Sequence, residues 1–275
     1  MMISRRTALG VLGAASASLA HAAPALDWQA PDTQMRMLLQ MRGALDERLV
    51  ISFLEGPYYG VVDSLLTPLY GLSAGLFRQY FAREDGGADY LNFELVYVTD
   101  LETGELLKTF KNPWTGRTAA PPQTRLGPSR LTITPDREII IQGMPPGVKG
   151  YHRCRPARVV GDDVWITEES SAFIPAPANF AFNEVLTYRA SAKDLADPAA
   201  PHVPTDIHFT PVIGWRPWHG MAGHQAEKRS HIMGDCAGRV VTSVNDLPAP
   251  YLRWTEEFHP DVLRDPLAIL NARKG

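Results

Sequence analysis

Residues 90–99 read YLNFELVYVT, the clearest structural pattern in the chain. Two sets of side chains alternate along it: Leu91, Phe93, Leu95 and Tyr97 form one set, and Asn92, Glu94, Val96 and Val98 form the other. A period of two residues indicates a β-strand, because successive side chains of a strand point to opposite faces. Turn-forming residues follow at 100–105, and an apolar segment returns at 106–110. The sequence therefore predicts a β-hairpin here.

Other strand candidates follow at short intervals, at residues 49–54, 130–134, 138–142, 150–155, 164–174, 180–189, 207–213, 231–233 and 239–244. The 23 prolines and 22 glycines interrupt the chain often, which suits short strands and turns. Helices are predicted only at residues 31–48 and 260–271. Strands and helices do not alternate, so we expect a mainly β fold, an antiparallel β-barrel or closed sandwich with a few peripheral helices.

The first 22 residues have the layout of an export signal. Arg5 and Arg6 precede an uncharged, apolar segment at 7–20, and residues 20–22 read AHA, a small-residue cleavage site. The paired arginines indicate a twin-arginine signal; a general-secretion signal is the alternative. We therefore expect residues 1–22 to be cleaved, residues 23–275 to form a single β-rich domain, and the protein to be periplasmic.

Composition and net charge exclude some classes of binding partner. The formal net charge is −3, or −5 without Arg5 and Arg6, so there is no basic stripe for nucleic acid. We expect no nucleic-acid partner, no membrane insertion and no cofactor, but a small-molecule ligand or substrate. The two cysteines, Cys154 and Cys236, are either a disulfide or two separate buried thiols. The sequence leaves the oligomeric state open.

Three passages, residues 97–105, 112–116 and 215–223, carry a family resemblance. In these passages the chain resembles an uncharacterised family of bacterial proteins that is classed as a domain of unknown function. The resemblance extends from Tyr97 to the C-terminus, and many members of the family have twin-arginine signals. The third passage departs from the family pattern, because His219 and Gly220 stand where bulkier apolar residues are usual. The resemblance implies fold and export, and it implies no activity.

Glu184 is the main candidate for proton transfer. In a strand at 180–189 it shares a face with Phe182, Leu186 and Tyr188, and a carboxyl group on an apolar face has a raised pKa. The alternative is an ion pair with an arginine such as Arg153. His152 is a second candidate acid or base, on the face opposite Arg153. We expect Arg153, Tyr188 or Arg216 to stabilise developing negative charge.

A binding surface is predicted around Trp215, Arg216 and Trp218, where two indoles flank a proline and one cationic side chain. The alternative is ordinary core packing. His219, Tyr97 and Phe182 are expected to complete the ligand-binding set.

Several catalytic signatures are absent from the sequence, among them the Walker loop, the HExxH motif and the C-x-x-C motif. Residues 71–75 read GLSAG and match the letters G-x-S-x-G, but no strand–helix alternation surrounds Ser73, so we do not expect a nucleophile there. If the protein binds a metal, the candidate ligands are His219, His224 and His231.

These observations favour an exported, cofactor-independent lyase or isomerase that uses acid/base chemistry on a small hydrophobic molecule, such as an aromatic, terpenoid or steroid, inside a barrel cavity. The first alternative is a periplasmic protein that binds the same class of ligand without catalysis. The second is a metal-dependent enzyme built on the three histidines.

Overall fold

The computed structural model describes residues 26–144, 146–175 and 180–272. The strands among them are β1 Val50–Val62, β2 Leu65–Ala82, β3 Ala88–Thr99, β4 Phe110–Lys111, β5 Thr118–Ala119, β6 Thr124–Ile133, β7 Ile139–Ile141, β8 Lys149–Cys154, β9 Arg158–Val160, β10 Asp163–Ile174, β11 Phe180–Ser191, β12 Thr205–Ile213, β13 Ser230–Gly234 and β14 Cys236–Val241. The α-helices are α1 Pro31–Arg42, α2 Ala192–Leu195, α3 Ala249–Phe258, α4 Pro260–Arg264 and α5 Pro266–Asn271.

Twelve strands form one antiparallel sheet that curls back on itself. Its main path is β7-β6-β3-β2-β1-β13-β12-β11-β10-β8, while β14 pairs with β1 and β12, and β9 pairs with β10. At the two ends of the path, Glu138 beside β7 forms a bridge with Arg153 in β8. The backbone N–H of Cys154 also donates to the carbonyl of Arg137, at 2.9 Å. The sheet is therefore a closed barrel, and the mainly β prediction is confirmed.

Helix α1 closes one end of the barrel. Its apolar side chains, including Met37, Leu38 and Met41, pack in one buried cluster with residues of β1, β2, β3, β6, β7, β8, β10, β11, β12 and β14. A helix in contact with so many strands must lie across the barrel opening. The helix ends at Arg42, earlier than the predicted residue 48. Gly43 is its C-cap and leaves the helical backbone conformation, and a Cβ there would lie 2.4 Å from the ring of Tyr80.

The C-terminal helices cover the outside of the sheet. The side chains of Leu91, Phe93, Leu95 and Tyr97 in β3 pack with Tyr251 and Trp254 of α3, Val262 of α4 and Leu270 of α5. The other face of β3, with Asn92, Glu94, Val96 and Val98, lines the barrel interior. The alternation predicted for this strand is confirmed, with the more apolar face on the outside, beneath the helices.

The predicted hairpin is wrong, and two elements of the structure were not predicted. The segment 106–110 does not return as a hairpin strand, since it makes only a Thr99–Leu106 bridge before Phe110–Lys111 pairs with β5. The far edge of β3 pairs with β6 instead. Helix α3 was not predicted, and the segment 61–81, which lacked a clear prediction, is mostly the long strand β2.

Ser73 lies buried in the middle of β2 and therefore has no nucleophile-elbow geometry. Both neighbouring glycines are needed for packing: a Cβ at Gly71 would lie 2.3 Å from the hydroxyl of Thr99, and one at Gly75 would lie 2.6 Å from the hydroxyl of Tyr251. The G-x-S-x-G letters thus reflect close contacts of the sheet.

Cys154 and Cys236 are both free and buried, and they lie in different core clusters. The structure therefore has two separate buried thiols and no disulfide between Cys154 and Cys236. The predicted signal at residues 1–22 lies outside the described residues. Among the described helices, none has the length and apolar character needed to cross a bilayer.

Candidate active site inside the barrel

The barrel encloses a cavity of about 1160 Å³. Because side chains alternate along a strand, one residue in two faces this space. Most of the wall is apolar, including Leu54, Leu72, Leu76, Val96, Val98, Phe182, Leu186 and Ile213. Polar side chains lie among them, and two groups of these differ in their hydrogen bonding; Arg78, Asn92 and Glu94 also line the cavity, where Arg78 donates to Asn92 at 3.2 Å.

The first group lies at the α1 end, where Arg42 enters the barrel and pairs with Glu168 of β10. The Nε and Nη2 atoms of Arg42 donate to the two carboxylate oxygens of Glu168 at 2.7 and 2.8 Å, and both side chains are buried. This two-point geometry is the strongest form of arginine–carboxylate contact.

Four more side chains complete this floor cluster. His152 Nε2 contacts Glu168 at 2.7 Å, and the hydroxyl of Tyr188 donates to it at 2.8 Å. Arg42 also donates to the hydroxyls of Tyr80 and Tyr90. Burial alone would raise the pKa of Glu168, but the charge of Arg42 and the hydrogen bonds from His152 and Arg42 hold it well below its ordinary value. Glu168 is therefore an ionised, fully bonded carboxylate.

The second group lies along one row of cross-strand neighbours around the wall. Tyr70 in β2 is opposite Tyr58 in β1, which is opposite Gly234 in β13. Pro211 in β12 is opposite Glu184 in β11. Beyond Glu184 the row continues to Ser170 in β10 and His152 in β8. We call this set the cross-strand row.

Gly234 joins the two halves of the row. A Cβ at this position would lie 2.8 Å from the Pro211 ring and 2.8 Å from the Tyr58 ring. The phenol of Tyr58 thus lies over the glycine and against Pro211, the direct neighbour of Glu184. Only a residue without a side chain leaves room for both rings at this point of the row.

Glu184 has no cationic partner among the described residues. Its contact is a hydrogen bond from the hydroxyl of Ser170, at 3.3 Å. Burial raises its pKa to about 7, and the charge of Glu94 adds to the rise, while Arg216 opposes it. Near neutral pH this carboxyl group therefore exists in both protonation states and can either accept or donate a proton.

His219 lies at the end of the cavity away from α1, in the short 3-10 helix Pro217–His219. It is buried, and its ring stacks on Tyr70 and lies 3.8 Å from the ring of Trp218. Burial lowers its pKa to about 3, so the imidazole is neutral. Next to it, Arg216 lies 4.2 Å from the centre of the Phe180 ring.

The structure brings six of the predicted site residues to the cavity: Glu184, His152, Phe182, Arg216, Trp218 and His219. It does not bring Arg153, Tyr188, Trp215 or Tyr97 to the cavity wall. The ion pair considered for Glu184 and Arg153 is absent, because Arg153 is on the outer face of β8, paired with Glu169 at 3.4 Å.

The other three displaced residues have structural partners. Tyr188 lies below the wall in the floor cluster, and Tyr97 donates to Thr255 outside the barrel, at 3.2 Å. Trp215 packs edge-on against Trp114, and its indole N–H donates to Ser230 at 2.8 Å. Only one of the two predicted indoles, that of Trp218, therefore faces the cavity.

The three histidines proposed as metal ligands are not brought together. His219 contacts Tyr70, His224 accepts from the backbone of Ala226, and His231 lies in β13 opposite Val61. Within residues 26–144, 146–175 and 180–272, no group of three or more potential His, Cys, Asp or Glu ligands clusters as a metal site would.

Sequence reasoning missed Tyr58 and Tyr70 as residues around the cavity. Adjacent Glu168 and Glu169 on a strand face opposite ways, so the sequence predicts that one of them points inward, and in the structure that one is Glu168. For the two tyrosines the signal was weak, because Pro57 and Pro68 interrupt the pattern of β1 and β2.

Comparison of the chain with protein-family models, curated proteins and solved structures found no match.

Proposed function

We propose that the protein is an acid/base enzyme that moves a proton on a small, largely apolar molecule bound inside the barrel, with Glu184 as the group that takes and returns the proton. One observation carries this proposal: a carboxyl group that has no cationic partner among the described residues lies on the wall of a large apolar cavity, with a pKa of about 7. A general acid or base works best when its pKa lies near the working pH.

The size and polarity of the cavity support a ligand of this kind. Small-molecule pockets are about 300–1,000 Å³, mostly apolar, with a few placed polar groups. A cavity of about 1160 Å³ is at the upper end and accommodates a multi-ring or branched hydrocarbon skeleton. A proton shift within such a molecule is an isomerisation, and loss of a proton together with a leaving group is a lyase reaction.

The floor cluster has a different role in this proposal. The carboxylate of Glu168 accepts from Arg42, His152 and Tyr188 and has little capacity left for a ligand. We therefore assign His152 to holding Glu168, and the proton transfer to Glu184 alone.

The proposal includes export by the twin-arginine route and a periplasmic location, which rest on Arg5, Arg6 and the segment that follows them. Changing both arginines to lysine should retain the protein, uncleaved, in the cytoplasmic fraction. Unchanged delivery to the periplasm would favour the general-secretion alternative.

The experiment for the catalytic proposal is hydrogen–deuterium exchange into candidate substrates. Purified protein is incubated in D₂O with a panel of apolar aromatic, terpenoid and steroid ketones and alkenes, and mass spectrometry measures deuterium gain. We expect at least one compound to gain deuterium, and Glu184→Gln to lower its rate by about 100-fold or more. The control is Glu169→Gln, on the outer face of the neighbouring strand, which should exchange at the wild-type rate.

A non-catalytic binding barrel is the second candidate, and the predominantly apolar wall favours it. A pure binding protein would hold members of the panel without any protein-dependent deuterium gain, and Glu184→Gln would then change affinity alone. That result would refute the catalytic proposal.

A further inference from the structure

The hydrogen bond between His219 and Tyr70 has a fixed direction. The Nδ1 atom of His219 accepts from the backbone N–H of Arg216 at 2.8 Å, so Nδ1 carries no proton. A neutral imidazole then carries its proton on Nε2, which lies 3.0 Å from the hydroxyl of Tyr70. The histidine therefore donates, and the oxygen of Tyr70 accepts.

The proton of the Tyr70 hydroxyl is thus left without an acceptor among the described residues. Tyr70 is buried and lines the cavity, and burial raises its pKa, so the phenol stays protonated. A buried donor without a partner is costly, and most such groups in proteins are satisfied. No described residue accepts this proton, so it is available to a molecule bound in the cavity.

Tyr58 supplies a second unused donor beside the first. Its ring stacks on that of Tyr70 with centroids 5.5 Å apart and planes 17° apart. It too is buried, lines the cavity and stays protonated, since burial raises its pKa. Its hydroxyl makes no hydrogen bond within the part of the chain that the structure describes.

Glu184 lies on the same row, on the far side of Gly234 and Pro211. Burial raises the pKa of Tyr58, the negative charge of Glu184 adds to the rise, and the charge of Arg216 opposes it. The wall therefore carries two O–H donors and, on the same row beyond Gly234 and Pro211, one carboxyl group that can accept a proton.

We propose that the substrate is a carbonyl compound, an apolar ketone or enone, whose oxygen accepts hydrogen bonds from Tyr70 and Tyr58 while Glu184 removes a proton from the carbon next to the carbonyl. This inference rests on the proposed function and narrows its substrate class. His219 is the positioning residue, because it occupies the oxygen of Tyr70 and thereby turns the tyrosine proton towards the ligand.

The step balances without any further reagent. The Glu184 carboxylate takes the proton, the C–H electron pair becomes the C=C bond of an enolate, and the carbonyl π pair moves onto oxygen. The resulting oxyanion accepts from the two tyrosine hydroxyls. Returning the proton from Glu184 to the same carbon gives exchange, and returning it to the far end of a conjugated enone gives isomerisation.

Acetophenone is a suitable probe, because it is an apolar ketone with exchangeable methyl protons. Two quantities are measured with it, the infrared C=O stretching frequency when bound and the rate of deuterium gain in D₂O. We expect the C=O stretching frequency of acetophenone to be lower in the wild-type complex than in free solution, and we expect part of this lowering to be lost in Tyr70→Phe. Removal of one oxyanion donor should slow exchange by about 100-fold or more. Tyr59→Phe, the next residue in β1, whose side chain does not line the cavity, is the control and should match the wild type.

The possible outcomes distinguish failure of the carbonyl inference from failure of the proposed acid/base function. If Glu184→Gln abolishes exchange but Tyr70→Phe changes neither the C=O frequency nor the rate, the carbonyl inference fails and the acid/base function stands. If neither substitution slows exchange, both fail. Absence of saturable acetophenone binding also overturns the carbonyl inference. Circular dichroism of each variant shows whether it is folded, and Tyr58→Phe gives a second test of the donor pair.

Discussion

Glu168→Gln is the substitution with the largest expected effect on stability. Glu168 is 3% exposed and accepts two hydrogen bonds from Arg42, one from Tyr188 and a contact from His152. Glutamine has nearly the same shape but has no charge and presents an N–H₂ group to one of these donors. The guanidinium of Arg42 is then buried without a counter-ion.

The magnitude follows from that uncompensated charge. Removing one member of a buried ion pair costs about 3–5 kcal/mol of unfolding free energy. For a chain of this size, each kcal/mol shifts Tm by about 2–4 °C, so we expect a fall of roughly 6–20 °C. Because the folded-state pKa of Glu168 is depressed, its contribution is present above the ordinary carboxyl value of 4.5 and is lost as pH falls. The difference between wild type and variant should therefore shrink in acid.

Urea denaturation at pH 7 and pH 3.5 measures both expectations. Glu169→Gln is the matched control, since the neighbouring carboxylate pairs with Arg153 and Arg155 on the outer face. Such a pair is worth about 0–1 kcal/mol. Replacing both members of the buried pair, Arg42→Met with Glu168→Leu, removes two charges together and should recover part of the loss. A cost for Glu168→Gln no larger than that of Glu169→Gln would refute the reasoning.

Two further predictions concern the cross-strand row. The folded-state pKa of Glu184 is raised, from 4.5 to about 7, so the group costs stability that appears as pH rises through this window, up to about 3 kcal/mol. Glu184→Gln should therefore stabilise the protein at pH 8 and have little effect at pH 4, as measured by thermal unfolding; a benefit equal at both pH values would contradict the raised pKa. Gly234→Ala should cost about 1–3 kcal/mol and displace Tyr58, because the new methyl group meets two rings at 2.8 Å. A wild-type Tm and unchanged near-ultraviolet circular dichroism would show that the contact is not tight.

The mainly β fold was predictable from short-range patterns in the sequence, and the errors in the predicted strands have physical causes. Alternation identified β3, whose two faces have different environments, and the spacing of strand candidates between breaks identified β10 and β11. Strands β1 and β2 were not recognised at full length, since Pro57 and Pro68 read as breaks. Both prolines lie near an irregularity at Tyr58 and Tyr59, where the register shifts, and proline is tolerated at such places.

The candidate site was predictable only in part, because alternation gives two faces and does not say which one is inside. Glu184 and Phe182 were placed together correctly on one face of β11. His152 and Arg153 were both assigned to the site, although neighbours on a strand cannot both face one cavity. Tyr97 was expected to bind ligand, but its more apolar face packs under the C-terminal helices. Which face is inside depends on contacts between segments far apart in sequence.

The contrast between the two polar groups in the cavity is the argument for placing the proposed proton transfer on the cross-strand row. In the floor cluster, Glu168 and Arg42 bond to each other and to surrounding phenols. These polar groups therefore have hydrogen-bond partners within the protein and need none from a ligand. Along the cross-strand row, the hydroxyl protons of Tyr58 and Tyr70 have no acceptor among the described residues. Glu184, with a pKa of about 7, accepts a hydrogen bond from Ser170 but has no cationic partner in that part of the chain. Polar groups without partners in an apolar cavity lower the stability of the folded protein. If the proposal is right, Glu184→Gln and Tyr70→Phe should slow proton transfer, and Glu184→Gln should at the same time raise stability at pH 8.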